Sequence, residues 1–192
     1  MNITVIGAGN SGLAMAAHLS EEGHQVTLWN RSKSHISKLM ETHTIIYKGV
    51  MEGKVKIHQV TDDIKKAIEN PDIILITTPA NSHKELAKRI GENIKKETLI
   101  VLNPGRTFGA WEFKVTYDVC NPLVKQTVAE TQTIIYTCRK TAEDTVDIIS
   151  FKSDVLISTF QASENKKIIA RLPECIQHYF ILAKSMTETS IG

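Results

Sequence analysis

The sequence predicts an α/β fold: a doubly wound, mostly parallel sheet with a β-rich carboxyl-terminal extension. Three observations carry this. Short apolar runs alternate with helical patterns, as in successive βαβ units. Residues 3–6, 25–29, 73–77 and 99–102 are apolar almost without interruption, which suits strands covered on both faces. After Thr127 the pattern changes to short stretches rich in β-branched residues, "TIIYTCR" and "VDIISFKSDVLISTF".

In chain order, the first strand runs into a glycine-rich turn and a helix of small residues, and residues 25–29 form the second strand. Residues 42–60 read as β structure with turns at Gly49 and Gly53, an insertion at one edge of the sheet, followed by a helix over 62–69. Over residues 82–95, Leu86, Ala87, Ile90 and Ile94 share one helical face, and "SHKE" at the start has the form of a capping box. The strand at 99–102 breaks at Asn-Pro-Gly-Arg-Thr before a further helix. An amphipathic helix over 166–180 precedes the closing "ILAKSMTETSIG". There is no internal repeat, low-complexity tract or obvious linker.

Composition sets the bounds. The 192 residues, 42% of them hydrophobic and with a net charge of +2, make a globular domain with a real core and no basic surface for nucleic acid. The opening "MNITVIGAG" lacks a basic leader and no apolar run reaches the length of a membrane span, so the expected location is cytoplasmic. Three cysteines, Cys120, Cys138 and Cys175, lie far apart and read as free thiols. No His or Cys spacing predicts a metal site.

The chemistry lies in "ITVIGAGNSGLAMAAHLSEEGHQVTLWNRS". Here Gly7-x-Gly9-x-x-Gly12 follows a strand and opens a helix, the context a dinucleotide-binding turn requires. Gly7 permits the tight turn, Gly9 lets the backbone approach a pyrophosphate, and Gly12 lets helix and strand pack closely. The helix start near Asn10 and Ser11 offers free N–H groups to phosphate. The fold is thus of Rossmann type. At the end of the second strand an NAD site presents an acid to the ribose, but no acidic residue lies between Glu22 and Glu41. Asn30 can bond a ribose, while Arg31, Ser32 and Lys33 can surround a 2′-phosphate, so NADP is favoured with NAD as the alternative.

Two more loops follow carboxyl ends of strands. Thr78, Pro79 and Ala80 are placed beside the nicotinamide half, and Asn103 and Gly105 form the next wall. Arg106 reads equally as a substrate-carboxylate partner or as a solvated arginine. His83 reads as a substrate or nicotinamide neighbour or as a helix cap, and Glu130 as a cleft residue or a structural ion-pair member.

"NPGRTFGAWEF" together with "VAETQTIIYTCR", and "TTPANSH" before them, resembles the amino-terminal domain of the opine dehydrogenases, the octopine and nopaline dehydrogenase group. The resemblance runs from Ile3 to the "TETS" near the end. It implies reductive condensation of an amino acid with a 2-oxo acid, the imine carbon receiving hydride from NAD(P)H. It also implies a second, all-helical domain carrying the catalytic His and its acidic partner; none of these 192 residues is assigned that role, and the chain alone is expected to bind cofactor but not to turn over. A homodimer is compatible with this. Two rivals stand beside it: a 2-oxo-acid reductase of the 2-dehydropantoate 2-reductase kind, and a non-catalytic nucleotide-sensing module.

Overall fold

The computed structural model describes residues 1–160 and 162–191. In chain order the elements are β1 (Asn2–Ile6), α1 (Asn10–Glu21), β2 (Gln25–Trp29), α2 (Ser37–Thr42), β3 (Thr44–Gly49), β4 (Gly53–Lys56), β5 (Gln59–Thr61), α3 (Ile64–Ala67), β6 (Ile73–Ile76) and α4 (His83–Asn93). They continue with β7 (Leu99–Leu102), α5 (Gly109–Cys120), β8 (Thr127–Thr131), β9 (Tyr136–Ala142), β10 (Thr145–Phe151), β11 (Val155–Thr159), α6 (Ala162–Arg171), α7 (Glu174–Gln177), β12 (Phe180–Leu182) and α8 (Met186–Ile191).

Eight strands form the main sheet in the order β12-β11-β8-β7-β6-β1-β2-β5. Only the β8–β11 pairing is antiparallel. The chain moves outward from β1 through β2 to β5, then returns to place β6 on the other side of β1. That reversal is the switch point at which an open α/β sheet forms a crevice beyond its strand ends. The period of two divides the central strands between two cores. Ile3, Val5, Ile73, Leu75, Leu99 and Val101 face one side. Ile6, Ile74, Ile76, Ile100 and Leu102 face the other, against Leu86 and Ile90 of α4 and Phe113 and Tyr117 of α5.

The insertion departs from expectation. Only β5 joins the edge of the main sheet; β3 and β4 build a second sheet with the late strands, in the order β4-β3-β10-β9. The β3–β10 pairing is parallel, with Ile46 opposite Thr145, so two segments far apart in sequence make one layer. This layer lies on α1, whose other side packs on the main sheet. Residues 12–19 are consequently buried all round, which explains the unbroken "GLAMAAHL". Within it the His18 ring bonds the Tyr136 hydroxyl through Nδ1 at 3.0 Å.

Two helix expectations also change. At α4 the Ser82 hydroxyl donates to the Pro79 carbonyl and meets Thr78 Oγ1, both at 2.7 Å, and does not cap the helix. The 3-10 turn Ala80–Ser82 holds Ser82 in a helical conformation, whereas a capping residue needs an extended one. The helix read over 166–180 is two short ones, α6 and α7, divided at Pro173, and Phe180 already belongs to β12. The helix read over 62–69 is the shorter α3, with Asp63 accepting from Lys65 N as its cap.

Candidate dinucleotide site

The turn from β1 into α1 is held by two bonds to the end of β2. Gly7 N donates to the Trp29 carbonyl at 2.7 Å, and Ala8 N to Asn30 Oδ1 at 3.2 Å. Gly7 has φ +106°, a conformation open to glycine and costly for other residues. A Cβ on Gly12 would overlap the Gly7 carbonyl oxygen and stand 2.8 Å from both the Gly7 carbonyl carbon and Thr77 Oγ1. Gly9 differs from both: its backbone is extended, with φ −81°, and a Cβ there would meet nothing within 4 Å. No side chain caps α1 and its first turn holds no acid, so its N–H groups face the space above Gly9 with their partial positive charge undiminished.

That space is a cavity of about 390 Å³ bordered by Gly7, Gly9, Asn10, Thr77 and Lys140. A second cavity of about 370 Å³ shares Asn30, His35, Thr78 and Pro79 with it and extends between the end of β2 and α4. The two adjoin along those four residues and form a groove beside the switch point. Asn30 also donates through Nδ2 to the Ser32 carbonyl at 3.1 Å, so its side chain ties the glycine turn to the loop after β2. Ser32 Oγ lies 3.0 Å from Ser34 Oγ, and Lys33 begins the 3-10 turn Lys33–His35. Arg31 pairs with Glu85 at 3.0 Å, and Glu85 also receives Arg89 at 2.7 Å. The hydrogen bond and charge of Arg89, reinforced by Arg31, hold the Glu85 carboxyl below its usual range. Burial raises the pKa of the Cys138 thiol, the Ser11 hydroxyl opposing.

Of the sequence-predicted residues, Gly7, Gly9, Asn10, Asn30, Arg31, Ser32, Thr78 and Pro79 border the groove. Gly12 and Ser11 lie at the helix start behind it, and Ala80 opens the turn leading to α4. Four expectations are corrected. Asn103 is 2% exposed, its amide donating to the Val101 carbonyl and accepting from Thr131 Oγ1, both at 3.3 Å. Gly105 is buried against the Glu130 carboxylate, which fills the place where a Cβ would be, so the glycine makes room for a side chain and not for a ligand. Glu130 itself is wholly buried: it accepts from Ala110 N at the start of α5, from Thr189 Oγ1 at 2.8 Å and from Ser190 Oγ, clamping α5 and α8 to β8. His83 is also fully buried, with Nε2 3.2 Å from the Thr78 carbonyl. Because a carbonyl only accepts, Nε2 carries the proton, and the unpartnered Nδ1 lies beneath Gly109. Burial lowers its pKa, the Thr78 bond and Glu112 opposing.

Arg106 is exposed, in a run of left-handed residues with φ 53° at Arg106, 28° at Thr107 and 61° at Phe108. The run is fastened by Gly109 N to the Arg106 carbonyl at 2.6 Å and Thr107 N to the Ser190 carbonyl at 3.0 Å. Non-glycine residues in this region store strain that the surroundings must offset. Lys140 is among the groove residues that the sequence reading missed. Its only signal is alternation: Tyr136, Cys138 and Lys140 lie on one face of β9. Among the described residues no cluster of His, Cys, Asp and Glu is suited to a metal, and no helix is long and apolar enough to cross a membrane.

An opine dehydrogenase of Arthrobacter sp. (strain 1C) is 30% identical over 189 residues, 97% of this chain and 52% of the relative. A glycerol-3-phosphate dehydrogenase [NAD(P)+] of Thermoanaerobacter sp. (strain X514) is 35% identical over 103 residues, 53% of this chain and 30% of the relative. The chain thus spans about half the length of the first relative and less of the second. Octopine dehydrogenase solved with NADH and pyruvate superposes with a TM-score of 0.83 at 16% identity, over 100% of this chain and 52% of the other. A ketopantoate reductase from Ralstonia eutropha JMP134 does so with a TM-score of 0.73 at 17% identity, over 97% and 57%. These two establish the shared fold. Residues 2–106, from β1 through the glycine turn to the loop after β7, match the family model described as the NAD-dependent glycerol-3-phosphate dehydrogenase N-terminus, and the chain belongs to that family.

Proposed function

We propose that this chain is the nucleotide-binding domain of an opine-dehydrogenase-like oxidoreductase, one that joins an amino acid to a 2-oxo acid by reductive condensation and prefers NADPH to NADH. The observation that carries the reading is Gly9: an extended glycine above which a Cβ would meet nothing, at an uncapped helix start, opening on a groove beside the switch point. Gly7 and Gly12 satisfy a local packing requirement, whereas the space above Gly9 is what a pyrophosphate needs. The residues present therefore fit a dinucleotide.

In this reading the N–H groups at Asn10 and Ser11 hold the pyrophosphate. Asn30 and Ser32 bond the adenosine ribose. Arg31 meets the 2′-phosphate, exchanging part of its pairing with Glu85 for a doubly charged group. Thr78, Pro79 and Ala80 flank the nicotinamide half, and the bound reduced nicotinamide supplies the hydride. Arg106, exposed beyond β7, is the candidate partner for a substrate carboxylate. The match to the opine dehydrogenase relative, which extends past residue 106 over 97% of this chain, supports this reading over a glycerol-3-phosphate substrate. The proposal includes a cytoplasmic homodimer, and it treats residues 1–192 as one domain whose partner domain supplies the catalytic histidine and its acid.

Calorimetric titration of the chain with NADPH and then NADH tests the cofactor assignment. Binding of both, tighter for NADPH, is expected; binding of neither would overturn it. Coupled to a 2-oxo acid with and without an amino acid, oxidation of NADPH by the complete enzyme tests the reaction. Turnover that does not require the amino acid would assign a 2-oxo-acid reductase instead.

A further inference from the structure

We propose that Lys140 is a ligand of the dinucleotide's pyrophosphate, and that the second sheet is the device that delivers this lysine to the glycine turn. The inference rests on the dinucleotide reading above and adds to it a residue from outside the segment matched by the family model.

Alternate residues of β9 run along α1 toward its start. Tyr136 bonds His18 in the last turns of the helix, and Lys140 N donates to Asn10 Oδ1 at 2.8 Å at its start. This last bond fixes the backbone of Lys140 beside the helix N-terminus. Its ammonium then donates to the Ala8 carbonyl at 3.0 Å, within the turn itself, and borders the cavity above Gly9. One of three N–H groups is thereby used, and the others remain for a group in that cavity.

The electrostatics call for an anion. The helix start carries partial positive charge, the first turn has no acid, and a half-buried ammonium faces the same space. Among the described residues Lys140 has no ion-pair partner. Glu143 and Asp144 act on it from a distance, Asp144 being paired with Lys38 at 2.8 Å and Glu143 accepting from Lys38 N at 2.5 Å. A cation set against a helix N-terminus without a counter-charge is unfavourable unless an anion lies between them, and a pyrophosphate is an anion of the right charge and position. Burial lowers the lysine's pKa, with Glu143 and Asp144 opposing only in part.

The test compares Lys140→Met and Lys140→Arg with the unaltered chain, titrated with NADPH, NADH and 2′-AMP, which has no pyrophosphate, at several salt concentrations. Lys140→Met is expected to weaken NADPH and NADH alike, by roughly 10- to 100-fold for a lost charge-assisted bond, and to leave 2′-AMP unchanged. The dependence of dinucleotide affinity on salt should become shallower in Lys140→Met and return in Lys140→Arg. Lys140→Met binding both dinucleotides like the parent would overturn the inference while leaving the dinucleotide reading intact. So would a loss of affinity with unchanged salt dependence and no recovery in Lys140→Arg, which would mean that the lysine only props the turn. Failure of the unaltered chain to bind either dinucleotide would overturn both readings together. Thermal melting of each variant separates these outcomes from loss of fold.

Discussion

Gly9 and Gly12 belong to one motif yet should fail in opposite ways when each is given a methyl group. In Gly12→Ala the new Cβ would overlap the Gly7 carbonyl oxygen and stand 2.8 Å from Thr77 Oγ1, so α1 must move away from the β1 turn. Overpacking of this kind costs about 1–3 kcal/mol. At roughly 2–4 °C per kcal/mol for a chain of this size, the melting temperature should fall by about 2–12 °C. In Gly9→Ala the methyl meets nothing within 4 Å, and φ −81° with ψ −164° suits alanine, so no strain arises. A small loss at the cap position is offset by the lower entropy of the unfolded chain, and the net change in stability should stay within about 0.5 kcal/mol. Affinity moves the other way. The methyl occupies the space assigned to the pyrophosphate, and loss of one charge-assisted bond of about 1.5–3 kcal/mol weakens NADPH by at least roughly tenfold. Melting curves and calorimetric titration of both variants suffice. If Gly9→Ala binds NADPH as well as the parent, the phosphate does not lie above Gly9 and the proposed function loses its main support.

Glu85→Gln removes the carboxylate that Arg31 and Arg89 share, so NADPH affinity should rise about three- to tenfold with little change for NADH, read by paired titrations; equal gains for both would contradict a 2′-phosphate at Arg31. Its effect on stability should be small, since the pair is exposed. Glu130→Ala strands Ala110 N and Ser190 Oγ in the interior, while Thr189 Oγ1 keeps Ser158 and the Met186 carbonyl, at about 2–4 kcal/mol, and should leave dinucleotide affinity intact; a normal melting temperature with altered substrate kinetics would restore a cleft role for Glu130. His18 and His83 are both depressed below 6.5, chiefly by burial. The unfolded chain therefore binds more protons than the folded one. Their contribution to stability is complete above pH about 6.5 and is lost as pH falls through the lower folded values. Urea midpoints from pH 8 to pH 5 should decline accordingly, and a flat profile would show that neither ring is neutral because of burial.

What the sequence disclosed and what it withheld divide along local and non-local determinants. Strands β1, β2, β6 and β7 are legible because burial on both faces leaves a continuous apolar run, which nothing distant needs to complete. The glycine turn is legible for the same reason: the demands on Gly7 and Gly12 arise from atoms within the turn and from the adjoining strand. Its neighbours obey another logic. Position after a parallel strand pointed to Asn103 and Gly105, and alternation along a strand to Glu130, but neither tells which way the groups turn; that was decided by Thr131, Thr189 and Ser190, brought in by β8 and α8. His83 turned inward because the Thr78 carbonyl and Gly109 close over it. The "SHKE" cap failed because a 3-10 turn preceded it. Lys140 is the extreme case. It reaches Asn10 across 130 residues, through a β9–β10 pairing and a parallel β3–β10 pairing that no short-range pattern encodes. A groove whose floor is readable in one short motif thus takes a wall from a segment that looked, by sequence, like a simple extension of the sheet. The second sheet covers α1 and in the same stroke sets a cation over the turn, so its packing role and its proposed ligand role depend on a single face of β9.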